Sequence, residues 1–453
     1  MAGLLTIGTS YYWIRPQLNQ IDWDFPDAVT RIRNLRASLD SNKFKTNHVL
    51  HPLAGSSYYL FAREVDLSPL AAAAYSFGSS AVFEYLLEWL EKVSINDLIF
   101  TPGAGIPAGE FVYNLSNYLN SAPAETSWAQ DIASYSLGLP SRVHGRPRAK
   151  FDSRAVARLP RDRLGFSSAY HHEFHVAIGV GTVDTEAGYG GLYQRLTLHG
   201  EIVAMPGFQR PGRFAQSFGQ GNFSETRFRY SISDHGMEAD AYFQATLFGY
   251  YAQNYRDDGR GLTGSAGMLG LGLGYRYHDS QPEGPIDQYA FAHLLGVNSD
   301  LWLARRGAVL RLRSDAHLDF GAVRSLPYAE HVAPFDTSGM KQVLRDQGYY
   351  FVRGASARLE TSLSVFGLQL GASYGLGRYY SIQGIDRFQG EVLYDISSND
   401  TIQDLDAWFA GAAPHSPIEL RFDYNLTRHV SQMPPWTDRH RDQRATFSLG
   451  LRL

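Results

Sequence analysis

From about residue 170 to its last residue, the chain exchanges apolar and polar side chains at nearly every step. In 418–429, Ile418, Leu420, Phe422, Tyr424 and Leu426 share one face of a strand, and Glu419, Arg421, Asp423, Asn425 and Thr427 share the other. A strand alternates sides with period two, so the pattern predicts a sheet with one apolar and one charged face. Such runs place strands at roughly 174–186, 193–205, 223–234, 238–252, 266–279, 287–304, 307–321, 349–366, 367–380, within 385–413, 417–430 and 443–453. About a dozen strands with no helical return between them fit a transmembrane antiparallel β-barrel better than a soluble sandwich. Twelve is the expected number, with ten or fourteen as the even-numbered alternatives. In 310–320, Arg311, Arg313, Asp315, His317 and Asp319 share a face that needs water or partners; with Arg421 they are expected in a lumen. Short joins at 305–307, 366–367 and 414–417 alternate with long segments 322–348, 381–400 and 431–442. That is the rhythm of short periplasmic turns and long external loops. A short join near 234–237 breaks the rhythm and points to a missed or surplus strand.

The first 120 residues follow a helical period instead, with candidates at 27–39, 52–64, 67–92 and 107–119. Pro52, Pro69, Pro102 and Pro107 stand at or near the starts, where a missing N–H is harmless. Residues 121–169, rich in Ser, Pro and Arg, read as a linker with one short helix near 126–137. The expected organisation is a helical domain over 1–120, a linker over 121–169 and a barrel over 170–453. The apolar stretch 67–90 carries Ser76, Ser79, Ser80, Glu84 and Glu88. Two carboxylates in lipid are costly, so this stretch is expected inside protein.

Composition narrows the class. Only 44% of residues are hydrophobic and the mean hydropathy is −0.26, which excludes a bundle of membrane helices but not a barrel, whose lipid-facing residues alternate. The aromatic content, with Tyr 28, Phe 26 and Trp 7, suits interfacial girdles. The absence of cysteine excludes thiol catalysis, Cys-ligated zinc and iron–sulfur clusters. A net charge of −4 speaks against nucleic acid as a partner. Basic residues are nearly all Arg, which suits phosphates such as those of lipopolysaccharide, although genomic base composition explains the bias equally well. The start shows no basic region and no cleavage site, so a mature form with an added Met is expected. The closing run from Ala445 to Leu453 resembles the recognition signal of bacterial outer-membrane proteins, although those usually end in an aromatic residue. Expected partners are therefore membrane lipids, including lipopolysaccharide, and the barrel-assembly machinery. The expected location is the bacterial outer membrane, and no cofactor is expected.

Residues 43–110 concentrate polar groups among apolar ones. The run includes Asn47, His48, His51-Pro52, Gly55-Ser56-Ser57-Tyr58, Ala62-Arg63, Gly78-Ser79, Glu84, Glu88, Ile95-Asn96-Asp97, Thr101-Pro102, Gly105 and Gly109-Glu110. It resembles the bacterial outer-membrane family called "domain of unknown function 3943". The match covers about 70 residues, with a looser one at Asp22-Trp23-Asp24 and a departure at Ala104, where a second glycine often stands. The resemblance implies an outer-membrane barrel carrying a helical segment, and implies no activity.

Glu84 and Glu88 lie four apart, on one helix face with Ser80 and Glu91. Ser94, Asn96 and Asp97 suit a cap, and Thr101-Pro102 suits a helix start. The candidate binding network is Asn47, His51, Arg63, Glu84, Glu88, Asp97 and Glu110. It can weld helices that plug or line the lumen. It can instead make His51 a general base, oriented by Glu84 or Asp97, for Ser56 or Ser57, although no Gly-x-Ser-x-Gly elbow supports this. It can also bind metal through His48, His51 and the carboxylates. His171, Glu173 and His175 share a strand face and could hold a metal. Gly270, Gly272 and Gly274 read as small lumen-facing residues beside a plug rather than a nucleotide loop. Three functions stay open. The first is a gated or plugged, porin-like channel or transport component for a solute, polymer or lipid. The others are an outer-membrane enzyme acting on lipid or envelope glycan, and a surface protein binding through its long loops.

Overall fold

The computed structural model describes residues 33, 37–88, 92–121, 128–136, 161–162, 164–166, 169–185, 190–234, 236–259, 261–282, 286–382, 392–412 and 416–453. One antiparallel sheet holds β3 (His171–Thr185), β4 (Gly190–Val203), β5 (Gly212–Phe218), β6 (Phe223–Ser233), β7 (Gly236–Asp257), β8 (Leu262–Pro282), β9 (Asp287–Arg305), β10 (Ala308–Arg324), β11 (Tyr349–Val365), β12 (Leu368–Ser381), β13 (Asn399–Ala412), β14 (Ile418–Met433) and β15 (Trp436–Arg452). β15 pairs with β3 and closes the ring. A closed ring leaves no unpaired backbone edge toward lipid.

Twelve strands make the ring, as the alternation predicts. The thirteenth, β5, was not foreseen. β7 is 22 residues long and takes two partners on one edge, β6 along Gly236–Thr246 and β5 along Gly249–Tyr255. β5 therefore extends the wall without adding a crossing, and the short join before β7 does not disturb the parity. The expected long segment 431–442 is a correction: β14 ends at Met433 and β15 begins at Trp436. There the strands rise past the apolar band, so Thr437, Asp438 and Arg439 read as loop although they are strand.

The two rims differ. The joins 306–307 and 366–367 lie on the rim where β3 begins and β15 ends. Segments 325–348 and 382–398 rise from the other rim. Along β10, Leu310, Leu312 and Leu318 are exposed on the outer face. The alternate residues, from Arg311 to Asp319, face inward.

The amino-terminal part forms α1 (His51–Glu64), α2 (Pro69–Val82), which continues as a wider turn over Phe83–Leu87, α3 (Ile95–Leu119) and α4 (Trp128–Ser136). β1 (Ala37–Ser38) pairs in parallel with β2 (Val93–Ser94). Most of the helix expected at 27–39, and the Asp22-Trp23-Asp24 match, lie outside the described residues; its last part is β1. The helix expected from 107 begins at Ile95, capped by the Ser94 hydroxyl accepting from the Asp97 N–H at 3.2 Å. Pro102 and Pro107 lie inside this helix rather than at its start. They cost it hydrogen bonds to the Leu98 and Gly103 carbonyls, and packing against the wall outweighs that loss.

The helices do not plug or line the lumen. Tyr275 and Tyr277 flank Arg276, whose guanidinium crosses the lumen to Asp404. The two tyrosines therefore face outward, and both are buried beside Leu39, Phe44 and Phe100. Ala290, Ala292, Phe320, Ala322 and Phe351 belong to the same cluster. Ala245 and Leu247 pack with Tyr59, Ala62, Ala72 and Ile106. At 25 residues, α3 is about 37 Å long. It starts near Tyr275 at the long-loop rim and ends with Tyr118 near His172 and Phe174 at the short-turn rim. The physical reason is charge: the lumen is already filled with its own paired side chains.

Candidate functional site: the arginine-rich lumen

Inward positions of strands far apart in the ring meet across the barrel. Arg311 on β10 donates to both Glu201 oxygens on β4 at 2.9 and 2.8 Å, and to Asp300 at 3.0 Å. Arg313 reaches Glu201 at 3.0 Å and also pairs with Glu225 on β6. Arg227 on β6 meets Glu360 on β11 at 2.9 Å, and Arg229 meets Asp406 on β13 at 3.2 Å. Arg276 on β8 holds Asp404 at 2.6 Å. Near the long-loop rim, His429 sits between Asp287 and Asp400 at 2.9 Å from each. Burying charge is costly unless each group is paired, and this mutual pairing lets a narrow barrel hold so many.

Between these pairs lie, among others, cavities of about 290 and about 100 Å³. The larger opens toward the short-turn rim, where His171, Glu173, Glu419, Arg421 and Arg452 line it. Eight arginines (195, 227, 229, 311, 313, 358, 421 and 452) face six carboxylates (173, 201, 360, 406, 419 and 423) around it. Asp300 and Glu225, just behind this lining, pair with Arg311 and Arg313, so arginines and carboxylates are equal in number there. Arg195, Arg227, Arg229, Arg358, Asp406 and Asn425 line both cavities and so form the partition between them.

The long-loop rim is capped. Inward Tyr289, Phe291, Val323, Tyr350, Val352, Tyr379, Ile402 and Met433 form an apolar belt that receives Tyr328, Val332 and Leu344 from segment 325–348. Phe291 stacks on Tyr379 at 3.9 Å. The cap is tied at its edges: Lys341 Nζ donates to the Ile382 carbonyl at 2.8 Å and pairs with Asp395 at 2.6 Å. His331 stacks on Trp436 and meets Asp438 at 3.2 Å.

Arg311, Arg313 and Arg421 thus face the lumen as expected, while the amino-terminal candidates lie outside it and fall into two clusters. Near the long-loop rim, His51 Nδ1 lies 3.6 Å from Asp97, and Glu84 accepts from the Ser94 N–H at 3.0 Å. Asn96 bridges Asp40 and Asp97 at 3.0 and 2.9 Å, and Asn47 donates to Tyr349 on the barrel at 3.1 Å. Burial, with the Asp97 carboxylate beside it, pushes the Asp40 carboxyl up to about 7. Toward the other rim, Arg63 Nε donates to Glu110 at 2.8 Å, and Tyr59 donates to the same oxygen at 2.7 Å. Glu88 borders the first cluster, beside Glu84.

A serine mechanism is not assembled among the described residues. The Ser57 hydroxyl donates to the Leu53 carbonyl at 2.9 Å, and His51 contacts Asp97 rather than Ser56 or Ser57. His48 lies among aromatic rings with Nδ1 on the Phe44 carbonyl at 2.9 Å, apart from any carboxylate set. His175 meets Glu173 at 3.2 Å and Glu419 at 3.4 Å inside the lumen. Among the described residues the grouping with metal-ligand spacing is instead Glu330 and His331 on the cap with Asp438 on β15. Gly270, Gly272 and Gly274 face the lumen, but leave room for Thr246, Asn298 and His293 rather than for a plug. Sequence reasoning missed Asp40, Tyr59 and Asn114, the last donating to the Gly221 carbonyl and to Ser224 at 3.0 Å each.

A closed ring with a charged, paired interior and an apolar outer band defines an outer-membrane-type β-barrel protein. Residues 36–138, which carry most of the helical region, match the family model "Domain of unknown function (DUF3943)". Among solved structures, a loop-deletion mutant of OmpT from Vibrio cholerae is similar at 6% identity and TM-score 0.23, covering 63% of this chain and 100% of that one. Omp33 of Acinetobacter baumannii gives 8% and 0.21, covering 62% and 99%. An anion-selective porin from Comamonas acidovorans gives 8% and 0.23, covering 63% and 99%. No curated protein matches the chain.

Proposed function

We propose that this protein is a gated channel of the bacterial outer membrane for small anionic solutes, with segment 325–348 as its gate. The observation that carries this reading is the asymmetry of the lumen. An arginine-rich cavity of about 290 Å³ lies open toward the short-turn rim, and the opposite mouth is shut by a loop rather than by strands. A loop held by apolar contacts and a few polar ties is a movable element, whereas a hydrogen-bonded strand is not. On the cavity's own surface guanidinium groups outnumber carboxylates, which suits anions, since Arg offers fixed paired donors to carboxylate or phosphate. Segment 204–222, which carries β5, narrows the open end: Phe208 packs on Trp302 and Tyr251. On this reading lipids, including lipopolysaccharide, surround the barrel, and the assembly machinery reads the strand from Ala445 to Leu453.

Conductance in a planar bilayer tests the proposal. The full chain is expected to conduct rarely, and deletion of residues 329–339 is expected to raise conductance several-fold with a reversal potential favouring anions. Deletion of 1–120 is not expected to open the pore, because the helices stand outside it. A barrel that stays silent without its cap overturns the channel reading.

A further inference from the structure

The face that the helical region turns away from the barrel has the reverse polarity of a water-facing domain. α2 carries no charged residue between Pro69 and Val82. Its Ser76, Ser79 and Ser80 are buried, Ser76 donating to the Gly55 carbonyl at 3.1 Å and Ser80 to the Asp97 carbonyl at 3.0 Å. Its apolar residues point the other way: Leu70 is 64% exposed, Phe77 42% and Val82 40%, and Leu86 beyond them is 51% exposed. A helix facing water hides its apolar stripe and shows its polar one. Here the polar stripe is hidden. Of the stretch 67–90, the described residues 67–88 are therefore not enclosed by protein, although Glu84 is.

Three further observations point the same way. The helices run between the rims against β7, β8 and β9, and β9 itself shows exposed apolar Leu295, Leu301 and Leu303 on its outer face. α1 and α3 cross in near backbone contact: a Cβ on Gly105 would lie 2.4 Å from the Ser56 nitrogen, and one on Gly109 would lie 2.9 Å from Tyr59. Glycines four apart are the close-packing device of helices that cannot rely on water to drive them together. Exposed charge sits at the ends, with Lys43 and Lys45 toward the long-loop rim and Asp66 at the turn between α1 and α2. No helix of the described residues is long and apolar enough to cross a membrane by itself. The barrel wall removes that requirement, because Asn96, Asp97, Thr101, Glu110, Asn114 and Asn117 of α3 are buried within the protein.

We propose that lipid acyl chains cover this face, so that the helical domain lies within the bilayer, fixed to the outside of the barrel. The inference is independent of the channel reading. The chain has no cysteine, so single spin labels can be placed cleanly. Leu70→Cys and Phe77→Cys, in the full chain reconstituted into phosphatidylethanolamine–phosphatidylglycerol vesicles, are compared with Leu303→Cys on the bare wall and Ser338→Cys on the cap. Oxygen collisions are expected to exceed those of a water-soluble nickel chelate several-fold at residues 70, 77 and 303, and the reverse is expected at 338. Nickel access at 70 and 77 equal to that at 338 overturns the proposal in favour of a water-facing domain. Low access to both probes overturns it in favour of a protein partner such as a second copy. Ala74→Cys, on the same exposed face, replaces either label that prevents folding.

Discussion

Around the barrel, the outer wall is of two kinds. On the bare wall, β9 shows Leu295, Val297, Leu301 and Leu303 to the outside, each at least 44% exposed. Under the helices the same strand shows Ala290 and Ala292, both fully buried, and neighbouring strands show Ala245 and Ala322. On β9 both stretches are apolar, but the covered one is built of small residues and the bare one of large ones, whereas on β8, β10 and β11 the large Tyr275, Phe320 and Phe351 also lie under the helices. Lipid tails fill any contour, whereas a helix needs room for its backbone. A Cβ on Gly103 of α3 would lie 2.6 Å from Leu294 and 3.4 Å from the Ala292 methyl. On β9 the small outward residues thus mark where α3 lies closest to the wall.

Polar groups divide in the same way. In the lumen Arg311 and Arg313 each meet several carboxylates, whereas in the helical region Arg63 and Glu110 form a single buried pair between α1 and α3. The largest expected effect therefore falls on Glu110, fully buried against Arg63. Glu110→Ala leaves that guanidinium without its carboxylate, at a cost of about 3–5 kcal/mol. Chemical denaturation in detergent should show it. The double variant Arg63→Met, Glu110→Met should recover most of the loss, because no unpaired charge remains. If the single and double variants lose equally, packing and not charge holds this site.

Next comes the wall itself. Ala292→Phe should force α3 outward at a cost of about 1–3 kcal/mol, read as new protease cleavage within 51–119 while the barrel keeps its heat-resistant migration. Val297→Phe, two turns of the pleat further on the bare wall, should stay within about 0.5 kcal/mol. Equal effects at the two positions would remove the distinction between covered and bare wall. A smaller loss is expected in the lumen. Glu201→Ala leaves Arg311 with Asp300, and Arg313 with Asp300 and Glu225. One charged hydrogen-bonding partner lost among several costs about 1.5 kcal/mol, measurable by urea unfolding.

The barrel was legible because period two is written directly into runs such as Leu310–Phe320, and the lumen arginines follow from the same parity. The place of the helices was not legible. Outward Tyr275 and Ala292 keep the alternation whether lipid or helix covers them, so nothing in the pattern separates an inner plug from an outer strap. Pro102 and Pro107 hid the first turns of α3, since propensity places them at helix starts and tertiary packing overrides it. β5 was hidden because Gly212–Phe218 pairs with only part of one neighbour. Asp40 and Tyr349 meet through Asn47 across 300 residues of chain, which no local spacing announces.

Asp40 gives the finest test, because its effect vanishes at low pH. It stands in the coil between β1 and α1, outside the spanning strands, and its carboxyl is raised from 3.8 to about 7 by burial and then by Asp97. The folded state then binds a proton that the unfolded state releases, so between about pH 4 and pH 7 stability should fall as pH rises. Below pH 4 both states are protonated and the contribution is absent. The slope for one group cannot exceed about 1.4 kcal/mol per pH unit. Asp40→Asn removes the titrating group while keeping an acceptor for Asn96. It should match the parent chain at pH 4.5 and unfold at a higher temperature than the parent at pH 8. A flat parent profile would mean that the Asp40 carboxyl is solvated, and that the rim end of the helical region stands open to water.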